Sequence, residues 1–291
     1  MKGASKGEGL GNQFLGNIRE TDAIIHVLRC FDDPNIVHVD GSVNPVRDKE
    51  IIDTELQIKD LDTVESRINK VQKQAQTGGD KNAKRMYDIL VKFKEVLEQG
   101  KSARTVKFDN AEDDKMAKEL FLLTNKPVLY VCNVDEASAK DGNKYVDMVK
   151  EAVKDEEAEM LVVAAKIESE IAELESFEER EMFLSELGLE SSGVSRVIRS
   201  AYSLLNLETY FTAGVQEVRA WTYPKGAKAP QAAAVIHTDF EKGFIRAEVI
   251  KYADFVKYGS ENGCKEAGKL GVEGKEYVVQ DGDIMHFRFN V

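Results

Sequence analysis

Three short runs of this chain are almost wholly apolar: residues 23–28, with His26 as the one polar side chain, 128–132 and 160–164. A strand with one wet face alternates apolar and polar side chains, whereas a strand covered on both faces has no polar position to spare. Helical patterns lie between the runs. Apolar strands of this kind separated by helices predict an α/β fold built on a parallel sheet with helices on both sides. The first two runs are too far apart for a single crossover helix. The domain is therefore read as split, over 1–42 and 118–205, with 43–117 inserted.

The insertion has its own pattern. Leu61, Val64, Ile68, Val71 and Ala75 follow a 3-4 spacing, and Ala83, Met86 or Tyr87, Leu90, Phe93 and Leu97 repeat it after Gly78-Gly79. Two heptad-patterned helices about a glycine turn predict an antiparallel coiled-coil hairpin. An arm of about 25 residues would be roughly 35–40 Å long. Near its tip lie Arg67, Lys70, Lys73, Lys81, Lys84 and Arg85, against the single acid Asp80. Such a cluster is either a solvated helix end or a contact for a phosphate backbone.

Residues 206–291 read as a small α+β domain. In "DIMHFRFNV", Met285, Phe287, Phe289 and Val291 alternate with His286, Arg288 and Asn290, as in a strand with one buried face. "KAPQAAAVIH" starts a helix with Pro230 in its first turn. Residues 36–41, "IVHVDG", also look strand-like.

Charge and cysteine usage narrow the function. The net charge is −12, and residues 118–205 hold most of the deficit with 10 basic and 19 acidic side chains. DNA binding by the whole surface is not expected. No apolar run approaches the roughly 20 residues of a membrane helix, so no membrane role is expected. Cys30, Cys132 and Cys264 have no paired spacing, which fits a reducing, cytoplasmic setting and no zinc site. The four histidines show no ligand spacing, and no metal is assigned to protein side chains. Trp221 reads first as a core anchor, although Arg219, Lys225 and Lys228 around it would suit an RNA contact.

The most informative string is "NKPVLYVCNVDE", residues 125–136. A buried strand ends in Asn133-Val134-Asp135-Glu136. Ligands of open parallel sheets bind at the carboxyl ends of strands. An Asn followed three residues later by an acid is how many P-loop GTPases read guanine, in the form Asn-Lys-x-Asp. Here Val134 stands for the Lys and Glu136 for the Asp, which weakens guanine recognition. The first sixteen residues hold five glycines, among them Gly3, Gly7, Gly9 and Gly11. "GASKGEGLGNQFL" resembles the segment after the Asp-x-x-Gly motif of Obg-type GTPases, a switch that rearranges around a γ-phosphate. Residues before Phe14 are expected to be poorly ordered.

At this point the resemblance becomes close. "HVLRCFDDPNIVHVDGSVNPVRDKEIIDTEL", "NKPVLYVCNVDE", "RVIRSAYSLLNLETYFTAGVQEVRAWTYPKGAKAPQAAAVIHTDFEKGFIRAEVIKY" and "EGKEYVVQDGDIMHFRFN" resemble the YchF family, the Obg-like ATPases, over essentially the whole chain. The resemblance implies a P-loop GTPase-like (Obg/TRAFAC) parallel sheet, here incomplete, an inserted hairpin and a C-terminal TGS domain of β-grasp fold at 206–291. It implies ATP bound in preference to GTP, with Mg2+, slow hydrolysis, and association with the ribosome and ribosomal RNA, by a monomer. Carried over, Asn133, Val134 and Glu136 match the altered base-recognition motif. Ala164 and Ala165 match the loop that closes over the base.

The family's phosphate loop, its Thr loop and the Asp-x-x-Gly itself would lie before Lys2. The only Gly-Lys-Ser, Gly100-Lys101-Ser102, follows a helical pattern and has Glu95 where a P-loop needs Gly, so Gly100 is read as a helix cap. The expectation is a truncated chain that hydrolyses ATP negligibly alone, with an open sheet edge where strands are missing. The alternative is a non-catalytic module that docks on ribosomal RNA or protein through Lys70, Lys73, Lys81, Lys84 and Arg85.

Overall fold

The computed structural model describes residues 11–290 apart from 78, 157 and 215. The chain divides into two compact units, Met1–Ala201 and Tyr202–Val291. The first contains, in order, α1 (Gly11–Glu20), β1 (Ile24–Arg29), α2 (Pro45–Thr77), α3 (Lys81–Glu98), α4 (Ala111–Lys118), β2 (Val128–Asn133), α5 (Lys144–Val153), β3 (Glu159–Val163), α6 (Ala165–Glu173) and α7 (Phe177–Glu186); α8 (Gly193–Leu204) follows and runs into the second unit.

The three apolar runs form one parallel sheet in the order β1-β2-β3, with Leu28 opposite Cys132 and Cys132 opposite Val162. β2 is central, and its first five residues are all buried, which is why that run has no polar position. Leu28, Tyr130 and Cys132 pack with Val146, Val149 and Val153 of α5 and with Ile167 and Ile171 of α6. Each such large side chain contributes about 1.5–3 kcal/mol by leaving water. β1 is an edge strand; Ile25 and Val27, on the side away from Leu28, are 46% and 61% exposed.

Two expectations are corrected in this unit. Residues 36–41 form no strand; the segment is turns, gathered by the Arg29 guanidinium, which donates to the carbonyls of Phe31, Asp33 and Ile36. Val37 and Val39 are almost wholly exposed, so their β-branched spacing has no sheet to join. Residues 11–13, expected to be poorly ordered, are the first residues of helix α1, whose Leu15 packs against Leu56 and Leu123. Gly3, Gly7 and Gly9 lie outside the described residues.

α2 and α3 run antiparallel, with three residues between Thr77 and Lys81. Val64, Leu61, Ile68 and Val71 pack against Ile89, Leu90, Phe93 and Leu97, as the heptad spacing predicts. Lys94 pairs with Glu65 across them at 2.8 Å. The Asp80 carboxylate accepts from the N–H groups of Asn82 and Ala83 and so caps α3. With 18 residues, α3 limits the paired length to roughly 27 Å, shorter than the sequence estimate, while α2 continues alone toward the sheet. At the far end Gly100 has φ +69°, and Gly100 and Lys101 donate to the carbonyls of Leu97 and Val96. That is a helix end, not a phosphate loop.

Asp60 fastens α2 to the 3-10 turn Leu123–Asn125 that precedes β2. Its side chain is wholly buried and accepts from Leu123 N at 2.8 Å, Thr124 N at 2.7 Å and Thr124 Oγ1 at 2.7 Å. Nearby, Lys49 Nζ lies 2.7 Å from both Asp53 and Glu156, and Tyr130 Oη donates to Glu156 at 2.8 Å. These groups satisfy one another where α2 crosses the sheet, as buried charges must.

The second unit contains β4 (Leu207–Ala213), β5 (Val218–Pro224), α9 (Ala229–Ala234), α10 (Thr238–Lys242), β6 (Phe244–Lys251), α11 (Tyr252–Tyr258), α12 (Glu261–Glu266), β7 (Gly271–Glu273) and β8 (Asp283–Phe289). Its sheet has the order β5-β4-β8-β6-β7, parallel only between β4 and β8. Tyr210, Tyr223, Ala247, Met285 and Phe287 face Ala229, Ala232 and Ala233 of the helical layer. The alternation of β8 holds: Met285 and Phe287 are buried, His286 and Arg288 exposed; Val291 lies outside the described residues. Pro230 sits in the first turn of α9. Among the described residues no helix is long and apolar enough to cross a membrane.

Candidate functional site

The carboxyl ends of β1, β2 and β3 lie side by side. Backbone hydrogen bonds continue past the strands, from Cys30 N to Asn133 O at 2.8 Å and from Val134 N to Val163 O at 2.9 Å. The three loops therefore leave the sheet in fixed register.

Asn133 joins two of them. Its Oδ1 accepts the backbone N–H of Ala165 at 3.0 Å. Ala165 opens α6, and the capping position, Ala164, has no side chain to accept from the first turn. The cap that this helix lacks locally is supplied from the neighbouring strand. Ala164 is buried and Ala165 exposed at the start of α6.

After Asn133 the chain turns sharply. Asp135 starts a short 3-10 turn, Glu136–Ser138, and its carboxylate accepts from Ser138 N at 2.9 Å. Glu136 points outward, half-exposed, and meets Lys166 Nζ at 2.9 Å. This hydrogen bond raises the Lys166 pKa and keeps the ammonium charged. Val134 is 3% exposed and belongs to the core beneath the loop. A ligand on the loop would therefore meet its backbone rather than its side chain.

Several positioning groups escape a reading of the sequence. Asn143 caps α5 through Oδ1, while its Nδ2 donates to Cys30 O at 2.7 Å and Ser138 Oγ at 3.3 Å, tying the loops after β1 and β2 together. An Asn just ahead of a helical pattern is the signal that could have marked it. Glu168 accepts from Gly193 N at 2.6 Å and Val194 N at 3.1 Å, so α6 caps α8. A Cβ on Gly193 would lie 2.7 Å from Val163 Cγ1 and 2.9 Å from Glu168 Oε1, so only glycine fits that approach. Cys30 and Cys132 are wholly buried, and a hydrogen bond between them together with burial pushes the Cys30 thiol far up. Such a thiol is inert.

Gly11, placed with the switch glycines by the sequence, is the first residue of α1. At the hairpin tip Lys70, Lys73, Lys81 and Lys84 are exposed. Arg85 is not turned outward with them: it forms ion pairs with Glu112 and Asp113 and donates to Asn110 Oδ1, which fastens α3 to the start of α4. Trp221 is half-buried against the core of the second unit, with Nε1 donating to Thr212 Oγ1 at 2.8 Å and the Arg219 guanidinium 4.1 Å above the ring.

One group of described side chains has the spacing to hold a metal ion, His38, Asp40 and Asp48. Its chemistry is already spoken for. His38 Nε2 lies 2.9 Å from Asp48 Oδ2, and Arg47 donates twice to Asp48 Oδ1, at 3.2 and 3.1 Å. The guanidinium supplies the positive charge at this carboxylate and anchors the start of α2.

The comparisons with known proteins point to one family, the relatives and the solved structure over essentially the whole chain and the family model over its C-terminal part. A family model named YchF-GTPase_C, described as a protein of unknown function (DUF933), matches residues 207–290. The ribosome-binding ATPase YchF of Bacillus subtilis (strain 168) is 57% identical over 293 residues, covering all of this chain and 79% of that protein. The Obg-like ATPase 1 of Rattus norvegicus is 46% identical over 294 residues, again over all of this chain and 74% of its own length. The structure of the Schizosaccharomyces pombe YchF GTPase superposes with a TM-score of 0.83 at 38% identity, covering 99% of this chain and 78% of that one.

Proposed function

The chain belongs to the YchF family of Obg-like ATPases, and on that premise we propose that it is a ribosome-associated protein that binds ATP in preference to GTP. The observation that carries the reading is the bond from Asn133 Oδ1 to Ala165 N, which clamps the β2 loop to the start of α6. Between the two loops lie a carboxylate at Glu136 and two small residues, Ala164 and Ala165. These groups fit the base of a nucleotide. Glu136 accepts from the exocyclic amine of adenine, and the small residues let the ring lie against backbone. Asn133 does its work indirectly, by holding both loops at the spacing the ring needs.

Mg2+ would accompany the triphosphate and supply charge neutralisation at the phosphates; no described side chain is assigned to it here. The three-part division also belongs to this reading: a nucleotide-binding domain over 1–42 and 118–205, an inserted hairpin over 43–117, and a TGS domain over 206–291. The test is titration of ATP and GTP against the wild-type chain and Asn133→Ala. Tighter binding of ATP, weakened about tenfold or more by the substitution, supports the reading.

A second reading rests on the hairpin tip. Lys70, Lys81 and Lys84 project from two helix faces about one turn, a geometry that suits the phosphates of ribosomal RNA. On this reading the chain docks on the ribosome without nucleotide. Co-sedimentation with ribosomes, with and without ATP, separates the two.

A further inference from the structure

We infer that Lys166 is a specificity-determining residue of the base site: by pairing with Glu136 it disfavours guanine. The inference rests on the base-site reading above and adds a residue from the facing loop. Lys166 Nζ lies 2.9 Å from Glu136 Oε1, and this contact bridges the β2 loop and the first turn of α6.

Structural needs do not explain it. A cation in the first turn of a helix opposes the helix dipole. The pair is also largely exposed, at 70% and 47%, so it adds little to stability. It is a local charge arrangement at a loop whose own apolar residue, Val134, has withdrawn into the core.

The chemistry follows from the two bases. Guanine presents N1–H and the N2 amine side by side, and a free carboxylate takes both with its two oxygens. In this chain Lys166 holds one oxygen of Glu136. The other can accept one proton donor, which is what the N6 amine of adenine offers. Guanine would leave one donor unmatched in the site, and an unmatched polar group is what discriminates most strongly between close analogues. Lys166 acts here through Glu136.

The experiment is a titration of ATP and of GTP against the whole chain, for wild type, Lys166→Ala, Lys166→Arg, Glu136→Gln, and Lys166→Ala combined with Glu136→Gln. Thermal melting shows that each variant folds. Lys166→Ala is expected to lower the ATP-to-GTP affinity ratio about fivefold or more, mainly by tightening GTP, and Lys166→Arg to restore it. In the Glu136→Gln background the change at Lys166 should have no further effect on the ratio. A ratio within about twofold of wild type in Lys166→Ala, with ATP still preferred by wild type and weakened by Asn133→Ala, overturns this inference and leaves the base site standing. If wild type binds neither nucleotide, or Asn133→Ala changes nothing, the base site fails and the inference with it.

Discussion

The Oδ1 of Asn133, at the end of β2, accepts the backbone N–H of Ala165 at 3.0 Å, so the start of α6 is capped by a residue 32 positions earlier. Replacing Asn133 with Ala removes the bond and frees both loops. Net loss of an exposed hydrogen bond of this kind costs about 0.5–1 kcal/mol in stability. The effect on nucleotide should be larger, because two loops lose their spacing. A modest drop in melting temperature with strong weakening of ATP is the expected pair of results; equal ATP binding would sink the assignment.

Asp60 supplies the most sensitive stability position. Asp60→Ala leaves the buried N–H groups of Leu123 and Thr124 without an acceptor. A loss of about 3 kcal/mol or more is expected in urea unfolding. Asp60→Asn keeps one acceptor oxygen and should fall between the two.

Gly193→Ala tests the close approach of α8 to β3. The new methyl meets Val163 and Glu168, and neither is the far end of a mobile chain, because Glu168 is bonded to Gly193 N and Val194 N. Overpacking of this kind costs about 1–3 kcal/mol. Since Glu168 lies one turn beyond Ala165, ATP binding should weaken together with stability.

His26 gives the unit a pH dependence. Burial holds its imidazole below the ordinary value, and Lys49 and Arg104 push the same way against Asp53 and Glu156. The unfolded chain therefore binds the proton more readily. Stability is full above about pH 6.5 and declines as the pH falls from there through the folded value. His26→Gln should flatten the difference in unfolding free energy between pH 7.5 and 5.5; an unchanged slope would show that other groups set it.

The hairpin tip is tested by charge. Lys70→Glu, Lys81→Glu and Lys84→Glu together should weaken co-sedimentation with ribosomes and flatten its salt dependence. Arg85→Glu should act differently, lowering the melting temperature, because its partners are Glu112 and Asp113 of the same unit.

Local signals were the ones open to reading. The unbroken apolar run of β2 states that both its faces are covered, and the alternation of Met285 and Phe287 states which face of β8 is buried. Gly100 is legible as a helix end because its neighbours supply the pattern. The misreading at residues 36–41 has a physical cause: alternation of Val and Ile marks a strand only where another strand is present to pair. What could not be read are bonds between distant loops. Lys166 with Glu136 and Glu168 with Gly193 are ordinary surface residues until the sheet brings their loops together. The burial of Val134 is likewise a property of the turn, not of the motif.

The strand β8 lies between β4 and β6, yet it comes after both along the chain. A growing polypeptide can form the β4–β5 hairpin early, but the two halves of this sheet have nothing to join them until residues 283–289 have been made. Closure must then bring together segments 73 positions apart, Phe211 and Ile284, and pairings of that separation form slowly. The C-terminal unit is thus bound to close its sheet late, and a stalled chain lacking β8 would leave β4 and β6 with open edges.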